Sequence, residues 1–138
     1  MNGTIHYLNT DMDLASPEDL TGLAEAFKAK GIFPLHVTQG EDGLWYARFE
    51  AGENYDQPET SIAAMLTVVE SLNEPLRAIW SRCTRREFNM GYDCGSEPWA
   101  FEQGLSNALL GRMAALGASL RLTLYPDRVE SAEPGRRP

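Results

Sequence analysis

The chain has 138 residues, 43% hydrophobic and 23% charged, a size and balance that suit one folded domain and exclude wholesale disorder. Its 12 basic and 20 acidic residues leave a net charge of −8, which excludes a nucleic-acid coat, because phosphate binding needs clustered cations. No apolar run approaches the roughly 18 residues of a spanning helix, and the start Met1-Asn2-Gly3-Thr4 lacks the basic and apolar stretches of a secretory signal; a cytoplasmic location, with no membrane partner, is expected.

The β-branched and aromatic run 4–9 predicts a first strand, followed by a polar loop over 10–15 with Asp11 and Asp13. Ser16-Pro17-Glu18-Asp19 predicts a helix start, with a capping hydroxyl, a proline that loses nothing at the first position and two carboxylates at the positive dipole end. Leu20, Leu23, Ala24 and Phe27 share its apolar face, and Gly31 closes it. Residues 32–38 alternate as a strand with Phe33, Leu35 and Val37 on one side. Pro34 has no N–H to give, so that strand lies at an edge or is bulged.

Gly40-Glu41-Asp42-Gly43 turns the chain into a return strand over 44–50, with Trp45, Ala47 and Phe49 opposite Tyr46, Arg48 and Glu50. A polar loop from Gly52 to Glu59 leads to a helix over 61–72 that buries Ile62, Met65, Leu66 and Val69. Asn73-Glu74-Pro75 starts a short helix carrying Leu76, Ile79, Trp80 and Cys83. Residues 85–93 alternate again, Phe88, Met90 and Tyr92 opposite Glu87, Asn89, Gly91 and Asp93. Cys94 to Pro98 turns, and 99–104 reads as a brief strand or loop. A helix over 105–116 ends at Gly117, and 119–125 forms a last strand with Leu120, Leu122 and Leu124 inward. The charged, proline-containing segment 127–138 reads as a loose tail after a single domain over 1–126.

The order β-α-β-β-α-α-β-α-β, with hairpin-linked strands and single-striped helices, predicts an α+β domain. It has one mostly antiparallel sheet of about five strands and helices on one face, ferredoxin-like in its first half. Cys83 and Cys94 flank the fourth strand. Ten extended residues span about 30 Å, and bridged Cα atoms lie within about 7 Å, so no disulfide is expected.

The stretches Leu35-His36-Val37, Gly43-Leu44-Trp45-Tyr46-Ala47, Gly91-Tyr92-Asp93-Cys94-Gly95 and Leu116-Gly117-Ala118-Ser119-Leu120, with Leu124-Tyr125, resemble a family of small uncharacterised bacterial proteins, a domain of unknown function. The resemblance spans most of the chain and implies no catalytic residue.

Three sets of side chains are candidates for a site. Alternation aims His6, His36, Arg48, Glu50, Asn89, Asp93 and Arg121 at the uncovered sheet face, where they would serve a small-ligand binder or enzyme. The two imidazoles would lie close if the first two strands were adjacent. Tyr55, Trp99 and Phe101 fall in loops, the usual place for partner anchors or for lids over a core. Arg77, Arg82, Arg85 and Arg86 crowd one stretch and offer an anion site, or pair with the acidic half of the chain. That half is residues 1–60, with 11 acids against 3 bases, whereas 61–138 has nine of each.

Cys94 lacks a nucleophile signature, no metal-ligand spacing occurs, and no phosphate-binding glycine loop is present, so no catalytic residue, metal or cofactor is expected. The composition fits best a small acidic protein-interaction module, of inhibitor or immunity type, for a basic partner. Self-association through the open sheet or an edge strand, giving a homodimer, is a further expectation.

Overall fold

The computed structural model describes residues 3–126. Its elements are β1 (His6–Ser16), α1 (Thr21–Ala29), β2 (Ile32–Gln39), β3 (Trp45–Ala51), α2 (Pro58–Glu70), α3 (Glu74–Arg82), β4 (Arg85–Asp93), α4 (Asn107–Ala115) and β5 (Ser119–Tyr125). The strands form one sheet in the order β2-β3-β1-β4-β5. Neighbours are antiparallel except β4 and β5, which run parallel. Class, element order and strand number agree with the sequence expectation. β1–α1–β2 and β3–α2–α3–β4 each skip one strand, the split βαβ arrangement; α4 then adds β5 as an extra edge.

Register sorts the side chains cleanly. On one face Met12, Leu14, Ala47, Phe49, Phe88, Met90 and Tyr92 meet Leu20, Leu23 and Phe27 around α1, Ile62, Met65, Leu66 and Val69 of α2, and Leu109 and Met113 of α4. Phe27 presents its ring edge-on to Phe49 at 5.1 Å and to Trp80 at 6.4 Å, the geometry that the aromatic quadrupole favours. The Trp80 indole N–H donates to the Leu116 carbonyl at 2.9 Å, which satisfies the one polar atom of a buried tryptophan.

Several local expectations are overturned. Residues 10–15 are not a loop: β1 continues to Ser16, with Thr10, Met12 and Leu14 inward and Asp11 and Asp13 outward. Aspartates disfavour strands on their own, but β1 is central and its aspartates meet Arg48 across the sheet. The helix does not start at Ser16. The Ser16 hydroxyl accepts from the Glu18 N–H at 3.0 Å in a turn, and α1 begins at Thr21, whose N–H is taken by Asp19. The second helix begins earlier than expected, with Pro58 in its first turn.

In β2 the register slips between Pro34 and His36. The bulge breaks the alternation, so Phe33 sits opposite Glu50 and Val37 opposite Ala47, on different faces. Residues 99–104 contain no strand. Leu120, Leu122 and Leu124 stand on the core face but are not inward: they remain 42%, 53% and 57% exposed, because among the described residues no helix roofs β5. The expected tail 127–138 lies outside the described residues. Among the described residues no helix is long and apolar enough to cross a membrane.

Candidate functional site

The open face of the sheet gathers most of the polar candidates. One rung reads His36–Arg48–Asp13–Glu87 across four strands, and the next reads Glu50–Asp11–Asn89–Arg121. Arg48 forks onto Asp13, Nε to Oδ1 at 2.7 Å and Nη2 to Oδ2 at 3.1 Å, and its Nε lies 3.8 Å from Asp11. These bonds, and Asp13 above all, raise the Arg48 pKa. Burial raises the Asp11 carboxyl above its ordinary value, with Arg48 pulling the other way. Arg121 is held by Glu87 at 2.8 Å, and the Thr123 hydroxyl bonds the Asn89 side chain at 2.7 Å.

His6 stands 3.6 Å from Asp93 at the start of β1. The two histidines are not brought together. β3 lies between β1 and β2, and the His6 and His36 rungs are seven β1 residues apart, roughly 20 Å along the strand. The face is thus a lattice of mutually compensating charges. Among the described residues no group of three or more His, Cys, Asp or Glu could hold a metal.

The four arginines of the 77–86 stretch diverge. Arg82 forks onto Glu18, with Nη2 3.0 Å from Oε1. Arg85 is on the open face opposite Ala15, near Tyr46. Arg77 contributes charge near Glu70, whose main partner is Arg112. Arg86 points to the helix side. It donates to the carbonyls of Trp80 (3.2 Å), Ser81 (3.1 Å), Cys83 (2.6 Å) and Gly117 (3.0 Å), and so ties the end of α3 to the end of α4.

β3 and β4 both finish at the end of the sheet where β1 starts, so the loops 52–57 and 94–106 leave that end together. Tyr55 is half-buried against a small cleft with Tyr7, Asn9 and Ser61. Phe101 folds back edge-on to Tyr92 at 5.3 Å. Trp99 is 98% exposed, with Glu97 and Glu102 in the same loop. The loop is pinned to the chain start: Ile5 N–H donates to the Glu97 carbonyl at 2.8 Å and Ser96 N–H to the Gly3 carbonyl at 3.0 Å. Gly95 permits this approach, since a Cβ there would lie 2.0 Å from the Gly3 oxygen.

Beside this loop runs an apolar groove of about 510 Å³, lined by Ile5, Met90, Tyr92, Cys94, Phe101 and the β5 leucines, among others. The Tyr92 hydroxyl is buried with no hydrogen-bond partner among the described residues, and burial pushes its pKa up to about 12. Cys94 lines the groove while His6 stands on the opposite face, so no thiol–imidazole pair forms. Cys83 is buried, and desolvation raises its pKa to about 11. Both cysteines are free thiols. Sequence reasoning missed the groove, because the β5 leucines read as core. The signal was position: the last strand, reached by a crossover, is a natural edge.

Comparison with family models, with curated proteins and with solved structures gives no match to this chain.

Proposed function

We propose that this chain is a small, non-catalytic, cytoplasmic interaction module that binds a basic protein partner, as an inhibitor or immunity-type protein does. One observation carries the reading: Trp99 projects almost wholly into solvent from a loop fastened at its base, with Glu97 and Glu102 beside it. Burial would stabilise a tryptophan strongly, and tryptophans dominate the energetic centres of interfaces. The flanking carboxylates and the net charge of −8 favour a cationic counterpart. Phe101 and Tyr55 act less as anchors than as supports, since each packs partly on its own chain. A small-ligand binder or enzyme on the open face has less support, because Arg48, Arg121 and His6 face carboxylates there.

The test is affinity capture from extract of the source cell with the intact chain and with Trp99→Ala. A defined basic protein should be retained by the wild type at low salt, released as ionic strength rises, and captured at least ten-fold less by the variant. Equal capture by both chains, or none by either, refutes the reading.

A further inference from the structure

The two edges of the sheet are built differently. An edge strand offers unpaired N–H and C=O groups, and proteins blunt such edges with prolines, bulges or charges. β2 has Pro34 and a bulge beside it. β5 has neither: it pairs with β4 in unbroken register from Glu87↔Ser119 to Asp93↔Tyr125 and contains no proline or lysine. Its one charge, Arg121, is held by Glu87 of the same chain. The backbone parity follows from one bond. The Tyr125 carbonyl faces β4, where it accepts from the Cys94 N–H at 2.9 Å, so alternation turns the N–H and C=O of Leu120, Leu122 and Leu124 to the outer edge, where no described strand pairs with β5.

We infer that β5 is a dimer interface whose occupant is β5 of a second copy, antiparallel about a two-fold axis at Leu122. The polarity of Ser119-Leu-Arg-Leu-Thr-Leu-Tyr125 is symmetric about that residue. Leu122 then faces Leu122 of the second copy, and Leu120 faces Leu124, each pair joined by the outward backbone groups. On the open face Arg121 meets Thr123, and Ser119 meets Tyr125, so no like charges oppose. An axis one residue earlier would set Arg121 against itself, which is unfavourable. Complete burial of the exposed parts of the three leucines, Tyr125 and Phe101 would bring at most about 900 Å² from two copies, just under the roughly 1,000 Å² threshold of a specific interface. The dimer is therefore concentration-dependent, not obligate, and joins two sheets into one of ten strands. It does not involve Trp99 and stands or falls apart from the basic-partner reading: salt weakens binding of a basic partner but strengthens pairing of two chains each of charge −8.

The experiment is sedimentation of the full chain between about 5 and 500 µM, with Leu122→Pro and Leu122→Lys alongside and circular dichroism to verify folding. Proline at 122 removes an outward N–H and leaves the β4–β5 ladder whole. The wild type should pass from monomer to dimer, more readily at high salt, and each folded variant should associate about 100-fold more weakly. Hydrogen exchange on the wild type needs no variant: the amides of Leu120, Leu122 and Leu124 should slow together as concentration rises. A wild type that stays monomeric throughout, a dimer unchanged by both substitutions, or a dimer that leaves those three amides unprotected overturns the inference.

Discussion

Replacing Arg86 by methionine tests whether this arginine is structural or part of an anion site. The side chain keeps an unbranched apolar stem but loses its charge and its donors, so the half-buried Cys83 carbonyl and the exposed carbonyls of Ser81 and Gly117 lose the arginine, while the Trp80 carbonyl keeps only the Cys83 N–H at 3.1 Å. Bonds from a charged donor contribute about 1.5–3 kcal/mol each. They share one side chain and do not add fully, and the exposed Ser81 and Gly117 oxygens regain water. The cation at the α3 C-terminus contributes about another 0.5 kcal/mol. The expected loss is about 3 kcal/mol, or roughly 2 M in the urea midpoint with an unchanged slope, read from tryptophan fluorescence. Arg86→Lys should recover less than half, because one ammonium cannot fork across carbonyls of two helix ends. Gly117 belongs to the same knot: its φ is +70° and a Cβ there would lie 2.8 Å from Arg86 Nη2. A loss below about 1 kcal/mol, or full rescue by lysine, refutes the reasoning.

The Asp11 carboxyl holds its proton to higher pH in the folded chain than in the unfolded one, because burial raises its pKa. Its contribution to stability is therefore greatest below the unfolded value near 3.8 and declines as pH climbs through the folded value. Asp11→Asn is expected to raise the urea midpoint at about pH 7 and leave it unchanged at about pH 3; a lower midpoint at neutral pH would show that Arg48 outweighs desolvation. The thiols should separate by reactivity. With its pKa near 11 and its side chain buried, Cys83 should alkylate at least about 100-fold more slowly than Cys94 at about pH 8 and react only on unfolding. Equal rates, followed by mass spectrometry, would refute the burial of Cys83.

Much of this architecture was legible because it is local. The alternation of Phe88, Met90 and Tyr92 with Glu87, Asn89 and Asp93 gave both the strand and its two faces, and the helix start at Asn73-Glu74-Pro75 appears as read, the structure adding that the Asn73 side chain accepts from Leu76 N–H at 3.2 Å. Where local chemistry and tertiary context disagreed, context won. Asp11 and Asp13 read as loop residues, yet pairing on both sides of β1 and the Arg48 guanidinium make them strand residues. Of the candidate site, the shared polar face was legible from alternation, but the separation of His6 from His36 was not, since strand order is a long-range property.

By itself the sequence determined the α+β class, the order of elements, the acidic balance and the two faces of β3 and β4, because side-chain period and capping act within a few residues. Only the tertiary structure decided that β3 inserts beside β1, that Arg86 seals two helix ends, and that the leucines of β5 reach the core face with no described helix above them. Periodicity says which way a side chain points; whether anything is there to cover it depends on how far the helix layer extends, and that is set by packing among elements distant in the chain.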